Sequence, residues 1–335
     1  MKESIILKYI WLLSGNFMIA ILLAACNGSN IIPDNPDEEI EIIPERSITF
    51  SLGTATRALP VTQLRGESFG VKAYILDNLW AAAGYNAKPD TDWNNVRIDC
   101  SDSGVCTYAP IQSWLDNKYY TFFGYYPYNT PGVTVSDANH ESTPYIEYRL
   151  SANDPTQHQD VMVASTFDCT ALNTGQVRMQ FSHILFCINI AVNNYRDEAI
   201  RLDNVICRFT SPLYSTYRMK MDKSELDTGG TITNASYLMA SSVNVSNTSA
   251  TGAINITDAD RFLMLIPQRG LQGTISFDVT QGGQTTMKVV EFNDPDTEYR
   301  AGYRYTFTLY FVGDAIHLRI CLLYTSPSPR DGLLS

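Results

Sequence analysis

The side chains best suited to proton transfer in this chain are its four histidines, His140, His158, His183 and His317, and they lie far apart in sequence. A general base must sit within a hydrogen-bond length of its proton and usually has a carboxylate to orient it. His183 stands in a strongly apolar run, so a hydrogen-bonded core histidine is expected there. Asp258-Ala-Asp260 and Asp294-Pro-Asp296 bring carboxylates together, but calcium takes many more oxygens than two, and each reads as a turn. The sequence holds no glycine-framed serine elbow, no His-Glu-x-x-His and no phosphate-cradling glycine loop. No catalytic, metal or cofactor site is expected, and the chain reads as a non-enzyme.

Cysteine chemistry is sparse. Cys100 and Cys106 flank Ser-Asp-Ser-Gly-Val, a turn between two extended runs, so a disulfide at a hairpin tip is expected in an oxidising compartment. Cys169, Cys187 and Cys207 leave an odd count, and no set has zinc-site spacing. Cys187 lies in an apolar strand, as a small hydrophobe would. Trp80, Trp93 and the tyrosines of 119–128 have the chemistry of a sugar-stacking platform. Their period-two placement puts them in a sandwich core instead.

Cys26 is different. Lys2 and Lys8 precede an uncharged apolar stretch from Tyr9 to Ala25, which ends in small residues before the cysteine. That pattern marks a signal peptide over 1–25, and Leu23-Ala24-Ala25-Cys26 resembles the bacterial lipobox. Cys26 is expected to carry the lipid. Acidic residues and prolines then alternate up to about Arg46, an extended, solvated tether over 26–46. The net charge of −11 excludes a nucleic-acid binder, which needs a basic stripe to neutralise phosphates. At the far end, 321–335 reads as translated sequencing-adapter sequence and is set aside from the fold.

The elements between are extended. Ile48, Phe50 and Leu52 alternate with Thr49 and Ser51 to give a first strand. Further strands are expected over 69–75, in a hairpin over 95–110, and over 119–128, 160–164, 177–192, 262–267, 274–279, 286–292 and 303–311. Within 177–192 the apolar phase shifts between Leu185 and Phe186, which implies a bulge or a strand buried on both faces. Short strands punctuated by turn residues make an all-β chain of sandwiches, with a boundary near 170–178.

Several short motifs occur in order along the chain. They are Thr56-Arg57-Ala58, Phe69-Gly-Val71-Lys-Ala-Tyr74, Tyr120-Thr-Phe-Phe-Gly-Tyr-Tyr-Pro127, Gln159-Asp-Val-Met-Val-Ala164, Phe181-Ser-His183, Leu265-Ile-Pro-Gln268 and Ala301-Gly-Tyr-Arg-Tyr305-Thr-Phe. Together with the lipobox they make the chain resemble the Bacteroidales fimbrillin family, the Mfa-like pilins and their relatives.

The resemblance implies two transthyretin-like β-sandwich domains in tandem, over 47–176 and a truncated 177–320. It implies an outer-membrane lipoprotein, held by Cys26, that becomes a fimbrial subunit at the cell surface. It also implies a trypsin-like protease that cuts after an arginine in the loop following the first strand. Here that bond joins Arg57 to Ala58, and its cleavage releases 26–57 together with Ile48, Phe50 and Leu52. The groove left behind takes a strand from the next subunit. Arg46 and Arg65 are the other basic candidates, but a cut at Arg46 leaves the strand in place. The implied partners are other fimbrillin subunits, the outer membrane, and host or bacterial surface ligands. In the family the donor strand comes from the C-terminal end, which this sequence replaces after about Ile320. A surface glycan-binding lipoprotein that stays tethered is the alternative reading.

Overall fold

The computed structural model describes residues 46–53 and 64–323. Cys26, Arg57 and Ala58 lie outside the described residues. In chain order the first strands are β1 (Phe50–Leu52), β2 (Ser68–Leu76), β3 (Asn94–Cys100), β4 (Cys106–Thr107) and β5 (Tyr119–Tyr126). Next come β6 (Val133–Val135), β7 (Tyr145–Arg149), β8 (Met162–Cys169), β9 (Val177–Met179), β10 (Ser182–His183) and β11 (Phe186–Asn194). The chain continues through β12 (Ile200–Phe209), β13 (Leu213–Lys220), β14 (Leu226–Ile232), β15 (Ser236–Val245) and β16 (Ile254–Asn255). It ends in β17 (Leu263–Leu265), β18 (Gln268–Gln281), β19 (Gln284–Tyr299), β20 (Arg304–Val312) and β21 (Ala315–Leu323). A single turn of helix, α1 (Trp80–Ala83), is the one α-helix among the described residues. The fold is all-β.

Sequence explains the central strand directly. β5 carries Tyr120, Phe122 and Tyr126 into one core and Phe123 and Tyr125 into another, so it is buried on both faces and needs aromatics at consecutive positions. It lies in a six-stranded sheet ordered β10-β8-β5-β2-β3-β4. The first core forms between one face of that sheet and the small parallel pair β1-β9. The second core lies around two further sheets, ordered β16-β11-β20-β21 and β15-β12-β18-β19. β11 is buried at every position because it pairs with β16, β17 and β20 while side chains pack on both its faces.

The phase shift in 177–192 therefore has a specific cause. Residues up to His183 pair with β1 and β8, and the chain enters the second set of sheets at Phe186. The pairing so places 177–183 with the first half, whereas periodicity alone sets the boundary ahead of them. The halves are also joined by a four-stranded sheet ordered β14-β13-β7-β6, in which first-half β7 lies against second-half β13. β21 pairs with β20 along its length, as far as Leu323 opposite Arg304. Ile316, Leu318 and Ile320 of β21 pack against the second core. The strand thus runs three residues into the stretch that sequence composition sets aside. Asp294 and Asp296, expected in a turn, lie on β19 where its register against β18 shifts.

Candidate functional site

The chain from Arg46 to Gly53 is held on both sides by backbone it meets only in three dimensions. On one side Ile48 N–H donates to Gln112 O at 2.8 Å, and Trp114 N–H donates to Arg46 O at 3.0 Å. On the other, Val177 N–H donates to Thr49 O and Gly53 N–H donates to Met179 O, each at 2.8 Å. Between these two bonds β1 runs parallel to β9, with Phe50, Ser51 and Leu52 opposite Val177, Arg178 and Met179. The segment is thus an inserted strand, bonded to 112–114 at its start and to β9 at its end.

Alternation then decides where the side chains go. Ile48 is fully buried, Phe50 nearly so, and Leu52 packs half-buried against the same core. The Phe50 ring is met edge-on by Phe122 at 5.6 Å, Tyr108 at 5.7 Å, Trp93 at 6.0 Å and Phe69 at 6.3 Å between centroids. Edge-to-face pairs of this kind add to the plain burial of the ring. Tyr108 does more than pack. Its hydroxyl donates to Ile48 O at 2.9 Å and accepts from Gln112 N–H at 3.2 Å, tying both backbones to one ring. Burial pushes the Tyr108 phenol above its ordinary pKa, so it stays a donor. At the open end Arg46 pairs with Asp116 across the surface. That pair is exposed and contributes little to holding the strand.

Tyr108, Gln112, Trp114 and Met179 form the walls of this slot, and the first strand's own pattern does not reveal them. Tyr108 stands two residues after Cys106, beyond the hairpin that Cys100 and Cys106 close with a disulfide. The hairpin β3-β4 so fixes the start of the segment that carries Tyr108 to the slot.

The remaining candidate residues fall elsewhere. His183 is buried and its Nδ1 lies 2.8 Å from Asp160 Oδ1, a pair enclosed in the core. His158 accepts from Met264 N–H at Nδ1 (3.2 Å), and its Nε2 donates to Ser151 O at 3.1 Å. That leaves it neutral, and burial lowers its pKa to about 4. His140 sits at the surface edge-on to Tyr145, and His317 is exposed on β21. No two histidines share a site. Asp258 and Asp260 lean on Arg261, and Asp294 accepts from the Tyr299 hydroxyl at 2.8 Å. Among the described residues no cluster of histidine, cysteine and carboxylate groups could hold a metal. Cys169, Cys187 and Cys207 are buried free thiols, and burial pushes Cys187 up to about 12. Of the aromatics that suggested a sugar platform, Trp93, Tyr120 and Tyr125 are each about 1% exposed and Tyr126 is 6% exposed. Rings so enclosed have no free face for a sugar, whereas Trp80, Tyr119 and Tyr128 are half-buried.

The sequence over residues 56–319 matches the fimbrillin-like family. The chain belongs to that family. Solved structures with the same fold include a fimbrial protein from Bacteroides vulgatus, 20% identical, with a TM-score of 0.66 over 84% of this chain and 100% of that one. A proposed cell adhesion protein from Bacteroides uniformis is 14% identical, with a TM-score of 0.49 over 84% of this chain and 100% of that one. Another from Bacteroides ovatus is 14% identical, with a TM-score of 0.48 over 82% and 95%. Among curated proteins, none matches the chain. In this fimbrillin-like chain the segment 46–53 is bonded to 112–114 and to β9, with the Phe50 ring packed among four others. Among its described residues no helix is long and apolar enough to cross a membrane.

Proposed function

We propose that this fimbrillin-like chain is a structural or accessory pilus subunit assembled by strand exchange. The observation that supports the reading is the insertion of 46–53 between 112–114 and β9, with Phe50 caged by four rings. Its segment is followed closely by Arg57, so one cut between Arg57 and Ala58 separates the strand from the body without touching the walls of the slot. The cut segment is then held only by non-covalent contacts. Once it leaves, the body exposes unpaired backbone at Gln112, Trp114, Val177 and Met179 beside an apolar trough. An unpaired edge next to an apolar trough is a template for another strand. Each apolar residue that refills it regains about 1.5–3 kcal/mol of burial.

In this reading Cys26 carries the lipid that takes the precursor to the outer membrane, and the lipid leaves with 26–57. The subunit joins other fimbrillin-like subunits at the cell surface, in adhesion to host or bacterial surfaces. Limited trypsin digestion of the purified protein, with the family's C-terminal donor end restored after Ile320, checks the order of events. The new N-terminus is expected at Ala58, and unheated denaturing gels are expected to show ladders that collapse on boiling. A body that stays monomeric after a clean cut at Arg57 contradicts polymerisation.

A further inference from the structure

Lys72 is a lysine with nowhere to reach water. It stands mid-strand in β2, between Val71 and Ala73, and is 1% exposed. Its face of the sheet carries aromatics along β2 and on β5. Tyr125 lies over Gly70, where any Cβ would overlap the ring, while Tyr74 follows along the strand and Phe123 stands opposite Lys72 on β5. Among the described residues the one hydrogen-bond partner of its Nζ is Asn94 Oδ1 on β3. That meeting depends on a register shift, in which Val71 pairs with Val96 and Lys72 with Asn94, leaving Asn95 as the extra residue. Asn95 has a φ of 69°, the left-handed region that asparagine tolerates. Its side chain is fixed there by the Tyr125 hydroxyl, which donates to Oδ1 at 2.6 Å. The opposing charge that acts on it is Asp137, an exposed carboxylate.

An ammonium group has three donors, and among the described residues it meets one acceptor here, with its stem buried. An amide nitrogen in the same place has one donor and no charge. We propose that Lys72 and Asn94 are a covalent modification site, joined by an intramolecular isopeptide bond that ties β2 to β3. Nζ donates to Oδ1, and the carbonyl carbon Cγ that it would attack is the atom bonded to that oxygen. Burial lowers the Lys72 pKa to about 8. At pH 7 the neutral, nucleophilic amine is then a few hundredfold more populated than in an ordinary lysine.

The step balances without an oxidant or cofactor. Neutral Nζ attacks Cγ of Asn94, and a proton passes from Nζ to Nδ2 as the Cγ–Nδ2 bond breaks. Ammonia departs and takes up the proton that the lysine first released, so one ammonium ion is the only by-product. The link would clamp the sheet whose Phe69 and Phe122 line the Phe50 slot, and it holds whether or not the first strand exchanges.

Mass spectrometry of the full chain tests this directly. Trypsin cuts after Arg65 and Arg97, is blocked by Pro89 at Lys88, and cannot cut after a lysine whose Nζ is acylated. The expected product is one uncut peptide, 66–97, lighter by one ammonia in most molecules. Separate peptides 66–72 and 73–97 at full mass would overturn the proposal. So would an ammonia loss confined to 73–97 with normal cutting at Lys72, which marks a succinimide at Asn94-Asn95. Lys72→Arg and Asn94→Ala are expected to restore the intact mass. Should either fail to fold, the wild-type peptide map still decides.

Discussion

The Phe50 ring meets the Phe122 ring edge-on, centroids 5.6 Å apart and planes at 89°, although 72 positions of sequence separate them. One belongs to an inserted strand of three residues, the other to the central strand of the six-stranded sheet. This contact fastens the segment 46–53 to the body. The segment has few backbone bonds of its own, so its side chains decide how firmly it stays.

Phe50→Ala leaves a hole between Phe69, Trp93, Tyr108 and Phe122, four rings fixed by their own packing. A cavity that cannot collapse costs about 3–5 kcal/mol for a phenylalanine. Urea denaturation of the uncut protein is expected to show a loss of that size. Ser51→Ala, on a half-buried position facing away from the core, is expected to change stability by less than about 0.5 kcal/mol.

Tyr108→Phe removes one hydroxyl that bonds Ile48 O and Gln112 N–H. The ring stays, so packing is kept while two backbone groups lose a shared partner. A destabilisation of about 1–3 kcal/mol is expected, read as a lower urea midpoint with unchanged slope.

How much of this site can be read from the chain alone depends on the range of each interaction. The inward set Ile48, Phe50 and Leu52 follows from strict alternation, whereas the near-continuous aromatic run of β5 is what a strand buried on both faces requires. The neighbours of β1 do not. Gln112 and Trp114 sit in a stretch with no strand periodicity, and β9 is a three-residue strand 127 positions along, paired in parallel. Local pattern carries no information about such partners, because loop closure and packing select them. β7 against β13, and Lys72 against Asn94, are hidden for the same reason, the latter needing a one-residue shift at Asn95.

His158 makes stability depend on pH in a defined window. Its ring is neutral in the folded protein with a pKa near 4, against 6.5 when free. Between those values the unfolded chain binds a proton that the folded one does not, so stability falls as pH drops from about 6.5 towards 4. Below about 4 this contribution is fully lost and the curve flattens. The ring is only partly enclosed, so about 3 kcal/mol is an upper limit. Chemical denaturation across pH 4–7 is expected to show the slope in the wild type and a smaller one in His158→Gln.

Cys106→Ser opens the hairpin tip closed by Cys100. The loop is short, so the loss is about 2 kcal/mol, seen as a lower melting temperature that reductant no longer affects.

The most direct measurement of the central claim is hydrogen exchange on the protein before and after a cut at Arg57, with a second, uncut-strand donor present. The donor is a synthetic peptide spanning residues 46–57. The account predicts that cutting and removal of the native segment strip protection from 112–114 and 177–179, and that the peptide restores it. If those amides stay protected after the cut because 46–57 never leaves, or if the emptied slot ignores the peptide, strand exchange at Phe50 is contradicted.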